Sequence, residues 1–246
     1  MRRIAVVNHK GGTGKTTTAV HLAAGLAEAG HRTLLLDLDP QGNVGAWFGV
    51  EPDAVRMNEL LTGDRAFRDA RVEVRDGLDL VASDWRLAEA EETLIESGER
   101  ERWLIKRMLR VRGYDFVILD CAPSMSILTT SALAYADEVV IPISMEYLAL
   151  VGVKQIIDNI LRIGARTRHR VRISAVVPTF YQQNVRKNGE ILGVLKAHFE
   201  GVLTDPIRTN VRLSEAPSHG QTIFEYSPRS HGAEDYRRLV ERVAHG

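Results

Sequence analysis

Lys10 and Lys15 stand on either side of Gly11-Gly12-Thr13-Gly14, and Thr16 and Thr17 follow directly. These residue types at this spacing suit one task, the grip of a phosphate chain. Glycines let the backbone close on an anion with its N–H groups turned inward. Lys15 carries a positive charge to the β and γ phosphates, and the Thr16 hydroxyl is placed to ligate Mg²⁺. Acidic residues complete the chemistry. Asp37 and Asp39 close one apolar run and Asp120 closes another, at strand tips beside the lysine loop, where open α/β sheets bind ligands.

The elements that must position these groups follow from periodicity. Residues 4–7 form an apolar run, and Ala19, Leu22, Ala23, Leu26 and Ala27 share one face of a helix that begins after the loop. Strand, loop and helix therefore meet at the glycines, and the helix N-terminus adds partial positive charge. Gly30 supplies a C-terminal stop. Residues 33–36 form a second buried strand, and a period of two puts Asp37 and Asp39 on one side if the strand continues that far. The pattern predicts a strand over 78–82 and amphipathic helices over 86–96 and 100–112, the second with Trp103, Leu104, Met108 and Leu109 inward. Phe116 to Leu119 reads as a buried parallel strand with Asp120 at its tip, where the carboxylate holds a water on Mg²⁺.

Further strands are expected over 138–143 and 171–177, with a short one ending at Asp205-Pro206-Ile207. Helices are expected over 148–163, through Val153, Ile156, Ile157, Ile160 and Leu161, and over 185–199. A last helix over 233–243 presents Tyr236, Leu239, Val240 and Val243 to the core. Strands alternating with helices predict an α/β fold, a mostly parallel twisted sheet with helices on both faces. With no repeat or linker in sight, residues 1–246 read as one domain.

Composition narrows the class. The chain has 246 residues, 44% hydrophobic and 26% charged, which excludes a disordered or membrane-spanning polypeptide. The N-terminus enters a strand without a signal peptide, so a cytoplasmic location is expected. The single cysteine, Cys121, rules out an intrachain disulfide and a cysteine-ligated cluster, and reads as a packed, inert thiol. Basic and acidic residues balance at 32 each, so nucleic-acid binding needs a local patch. The arginine-rich run over 162–172 is either a solvated loop or a phosphate-contacting rim, its part over 166–172 being the one of interest for DNA.

The loop departs from the usual P-loop pattern, because His9 stands where the first glycine belongs and Lys10 is an additional lysine. This arrangement resembles the deviant Walker A box of the ParA/MinD superfamily. Asp37-Leu38-Asp39-Pro40-Gln41-Gly42-Asn43, Asp120-Cys121-Ala122-Pro123-Ser124 and the stretch from Arg208 to Gly220 resemble further signatures of its ParA/Soj-type partition ATPases, in the same order. The link from Pro142 to Tyr147 is similar too, although Glu146 within it receives no role.

The resemblance implies a P-loop NTPase fold, ATP and Mg²⁺ as cofactors, and a sandwich homodimer in which Lys10 crosses to the partner's nucleotide. It implies that Asp39 positions the attacking water and Asp37 lies near the metal shell. Thr179 and Pro206 are expected to border the adenine. Non-specific double-stranded DNA and a ParB-like stimulator are the implied partners, on the nucleoid, with slow basal turnover. For DNA contact the candidates are Arg186, Lys187 and Arg212, with Arg208 and the arginine run in reserve. Two rivals share the fold. One positions a protein cargo; the other is a MinD-like membrane-associated regulator, disfavoured because no amphipathic tail follows the last helix, so no membrane partner is expected.

Overall fold

In the computed structural model, residues 1–51, 54–96, 102–146, 149–167 and 169–246 are described, with the side chains of 149–154 excepted. Arg100, Tyr147, Leu148, Arg168 and the side chain of Val153, all used above, lie outside the described residues.

The strands are β1 (Arg2–Val6), β2 (Thr33–Leu38), β3 (Val72–Arg75), β4 (Leu78–Val81), β5 (Phe116–Cys121), β6 (Glu138–Ser144) and β7 (Arg172–Thr179). They form one sheet in the order β3-β4-β2-β5-β1-β6-β7. Every pairing is parallel except β3 with β4. In chain order the helices are α1 (Lys15–Glu28), α2 (Met57–Thr62), α3 (Phe67–Ala70), α4 (Arg86–Glu96), α5 (Trp103–Met108), α6 (Ile127–Tyr135), α7 (Ala149–Thr167), α8 (Arg186–His198), α9 (Arg212–Glu215), α10 (Ile223–Tyr226) and α11 (His231–His245).

Strands β2, β5 and β6 are buried along their whole length, as expected of strands covered on both faces. Side-chain alternation divides them between two cores. Ala5, Leu34, Leu36, Val117 and Leu119 pack with α4 to α7, whereas Ile4, Val6, Leu35, Phe116 and Ile118 pack with α1 and α11. Parity then fixes the acids. Asp37 follows Leu35 by two and Asp120 follows Ile118 by two, so both lie on the α1 face, and the ladder makes them direct partners.

α1 lies between the sheet and α11 and is buried from Thr18 to Leu26. Gly25 permits this close approach: a Cβ there would stand 2.5 Å from Val240 Cγ2. The helix ends where Gly30 adopts φ +88°, and its N–H donates to the Ala27 carbonyl.

The structure corrects several expectations. β2 stops at Leu38, and Asp39 sits in a turn with its N–H donating to Asp37 Oδ1 at 3.1 Å. No strand forms at 205–207; among the described residues only isolated bridges join Val176 to Leu203 and Tyr181 to Arg208, because Pro206 has no N–H to continue a ladder. Leu109 and Leu161 point outward, 64% and 66% exposed, since α5 ends at Met108 and α7 turns Ile160 and Ile163 to the core. Strand β3 escaped the sequence reading. Its signal was Val72 and Val74 in alternation before Asp76-Gly77, a hairpin turn in which Gly77 takes φ +70°.

Candidate nucleotide and metal site

The sequence signatures converge where β1, β2, β5, β6 and β7 end. Gly12 and Gly14 take φ +71° and +84°, left-handed values that direct successive N–H groups toward one point. A Cβ on Gly11 or Gly12 would meet nothing within 4 Å, so the loop borders open space into which an anion fits. Below it, Thr13 is fully buried and Lys15 is 6% exposed. The Lys15 ammonium donates to the Lys10 carbonyl at 3.1 Å. Burial lowers the Lys15 pKa, and the nearby Asp120 and Asp39 carboxylates oppose that shift. Thr16 and Thr17 follow on the first turn of α1.

Asp120 and Asp37 are enclosed, yet both oxygens of Asp120 and Oδ2 of Asp37 have no hydrogen-bond partner among the described residues. Burial pushes Asp37 up to about 7, and burial with the neighbouring Asp37 charge holds Asp120 well above the ordinary carboxylate range. A divalent cation beside these orphaned oxygens reverses that penalty. Among the described residues no three carboxylate, imidazole or thiol groups converge. The donor set of two acids and the Thr16 hydroxyl therefore suits Mg²⁺, which is held by one or two carboxylates together with substrate phosphates.

Asp39 is 8% exposed, and its Oδ1 accepts from the Gln41 N–H at 3.0 Å. Its segment is clamped to the loop after β4. Ser83 Oγ donates to the Asp39 carbonyl at 2.6 Å, and Gly42, at φ +63°, approaches so closely that a Cβ would lie 2.5 Å from the Ser83 carbonyl oxygen. Cys121 is buried, and burial beside Asp120 raises its thiol, in keeping with an inert side chain.

Three contributors were missed or left without a role. Asn8 is buried, donates Nδ2 to the Pro142 carbonyl at 2.6 Å and accepts the Lys10 N–H at 3.0 Å, fixing the head of the loop to β6. A polar residue directly after the apolar run was its only signal. His9 occupies the glycine position without blocking the cradle, because its ring turns to α7 and accepts from Asn159 Nδ2 at 2.8 Å. Glu146 forms an ion pair with Lys10.

Thr179 is not free to contact a base through its hydroxyl: it is 3% exposed and donates to the Thr13 carbonyl at 2.9 Å, bracing the loop instead. Pro206 is half-buried in the turn before Ile207, whose N–H donates to the Pro178 carbonyl at 2.8 Å.

The basic candidates divide sharply. Arg186 has a 94% exposed side chain, tied to Glu190 one turn on, and Lys187 beside it is exposed. Arg212 is half-exposed and paired with Glu215 at 2.8 Å. Arg208 is committed internally, with bonds of 2.6–3.1 Å to the buried carboxylate of Asp235 and 2.7 Å to Glu234. In the arginine run, Arg172 pairs with the buried Glu138. The Tyr181–Arg208 bridge joins the two segments five residues before Arg186 and four before Arg212.

Comparison with known proteins places the chain in a family. A family model described as an AAA domain matches residues 1–173. The chain is 42% identical to the chromosome-partitioning ATPase Soj of Thermus thermophilus, over 99% of this chain and 95% of that protein. It is 39% identical to the sporulation initiation inhibitor protein Soj of Bacillus subtilis, over 98% and 97%. Among solved structures, one described as cobyrinic acid a,c-diamide synthase of Mycobacterium smegmatis, with bound ATP analog and magnesium, superposes with a TM-score of 0.85 at 32% identity over 99% of this chain and 94% of that one.

Proposed function

The chain belongs to the ParA/Soj family of partition ATPases, and on that premise we propose an ATP-driven cycle of pairing and DNA binding for the single domain 1–246. The enzyme hydrolyses ATP to ADP and phosphate with Mg²⁺. Bound ATP drives a sandwich homodimer, the dimer holds non-specific double-stranded DNA, and a ParB-like partner stimulates hydrolysis and release. The observation that carries the chemistry is the pair of register partners Asp37 and Asp120, with orphaned oxygens on the α1 face beside the Lys15 loop.

Each residue has a physical task. The backbone N–H groups of Gly11 to Thr17 receive phosphate oxygens, and Lys15 exchanges its bond to the Lys10 carbonyl for one to the γ-phosphate. Thr16, Asp37 and Asp120 hold Mg²⁺, directly or through water. When bound, that ion neutralises charge on the β and γ oxygens. Asp39 orients the attacking water from its fixed turn, and Lys10 adds charge to the partner's nucleotide only when two copies meet. Basal turnover is slow for that reason.

For DNA the reading rests on Arg186, Lys187 and Arg212, exposed on segments that meet at the Tyr181–Arg208 bridge. A protein with balanced charge needs such a local patch, doubled in the dimer. The test is fluorescence anisotropy of a random-sequence duplex titrated in the apo, ADP, ATP and non-hydrolysable ATP states at two salt concentrations. Binding with triphosphate alone, weakened by salt, is expected. Binding in every state, or in none, would sink the DNA half of the cycle.

A further inference from the structure

We infer that Glu146 is a positioning residue for Lys10, holding its ammonium on its own chain until a second copy presents a nucleotide that draws it away. The inference rests on the reading that Lys10 acts across the dimer. Its physical basis is a contact between residues 136 apart in sequence: Lys10 Nζ donates to Glu146 Oε2. Both partners are mounted on one rigid piece. Asn8 ties the Lys10 backbone to Pro142 of β6, and the residue directly after β6, Met145, donates its N–H to the Thr179 carbonyl at 3.2 Å. Thr179 in turn braces the loop at Thr13.

The strength of the contact suits a bias rather than a lock. The side chains are 40% and 57% exposed, and such pairs shift an equilibrium by about 1.5- to 5-fold. A triphosphate competes with ease, particularly beside a cleft of about 450 Å³ lined by Gly12, Glu146, Phe180 and Lys187. Lys187 contributes a second positive charge near Glu146, so the carboxylate stays compensated when Lys10 leaves. The two lysines are also coupled. Lys15 rests on the Lys10 carbonyl at 3.1 Å, so phosphate binding to Lys15 in one copy removes a bond that steadies Lys10. Loading a nucleotide thereby loosens the residue that must reach across.

Two measurements on the full chain test this. In nucleotide-free protein, acylation of Lys10 followed by mass spectrometry is expected to rise about 2- to 5-fold in Glu146→Gln and to stay near wild type in Glu146→Asp. In sedimentation with non-hydrolysable ATP, Glu146→Gln is expected to associate about 1.5- to 5-fold more tightly, with the gain lost at high salt and in a Lys10→Ala background. Unchanged labelling overturns the ion pair. Raised labelling with unchanged or weaker association overturns the positioning role, as does an equal gain in Lys10→Ala. A wild-type chain that never associates with ATP, while labelling still responds to Glu146→Gln, rejects the dimer reading and the role in it but leaves the pair standing.

Discussion

Asp120 and His21 are both polar and both almost completely buried, one at the tip of β5 and one on α1 a turn beyond Thr17, yet the structure treats them in opposite ways. His21 is fully satisfied. Its Nδ1 donates to the Thr17 carbonyl at 2.7 Å, its Nε2 accepts the Ile223 N–H at 2.9 Å, and its ring stacks on Tyr236 and meets Trp47 and Phe224 edge-on. Asp120 has neither oxygen satisfied and a second carboxylate beside it. A buried polar group with all its bonds made contributes structure, whereas one left open contributes a binding site whose cost falls on the unliganded fold. The fold thus stores its function in the side chains it leaves unpaired.

The largest effect that would sharpen this contrast is at Lys15. Lys15→Ala is expected to lower ATP turnover by roughly 10²-fold or more, measured by phosphate release, with little change in melting temperature, because its internal bond is a single contact to a carbonyl. If that variant instead unfolds, the lysine belongs with His21 on the structural side.

His21 yields a prediction in pH. Burial lowers its pKa to about 4, against 6.5 in the ordinary imidazole. Between those values the unfolded chain binds the proton and the folded chain does not, so the His21 contribution is present above pH 6.5 and is lost as pH falls toward 4. The stability difference between wild type and His21→Gln should therefore shrink by about 3 kcal/mol across that window, read from urea unfolding at each pH. A constant difference would mean that the ring is not held neutral.

Asp120→Asn works in the reverse sense. Replacing a buried carboxyl that burial and its Asp37 neighbour make costly to ionise is expected to raise the melting temperature of the nucleotide-free chain by roughly 2–6 °C while abolishing the further rise on adding Mg-ATP. Destabilisation of the free chain by this change would show that the orphaned oxygens are satisfied in solution.

The smallest effect separates two arginines. Arg212→Ala should leave stability unchanged and lower the salt slope of DNA binding by roughly one per protomer. Arg208→Ala should leave that slope alone and lower the melting temperature, since it strips a partner from the buried Asp235. Reversed outcomes would exchange their roles.

Much of this site was legible in the chain because its parts are local. Gly12, Gly14, Lys15 and Thr16 lie within five residues, and their conformations follow from glycine's freedom and a strand-to-helix junction. Asp120 was legible as the end of an apolar run. Glu146, Asn8 and Ser83 were not, because each acts through a partner that sequence distance hides. Thr179 was read only as bordering the base, and the bond from its hydroxyl to Thr13 was not legible, since a hydroxyl's partner depends on what folds against it.

The sequence by itself determined the strand, loop and helix that make a phosphate cradle, the α/β alternation, and the placement of Asp37 and Asp120 at strand tips. These follow from side-chain period and backbone sterics, which act over a few residues. Only the tertiary structure decided that Asp37 and Asp120 are register partners, that Lys10 rests on Glu146, and that Arg208 is spent inside while Arg212 is exposed. Such pairings join residues 26 to 136 positions apart, or strands not adjacent in the chain, and are set by which faces the sheet and helices bury together. Short-range preferences carry no information about that choice.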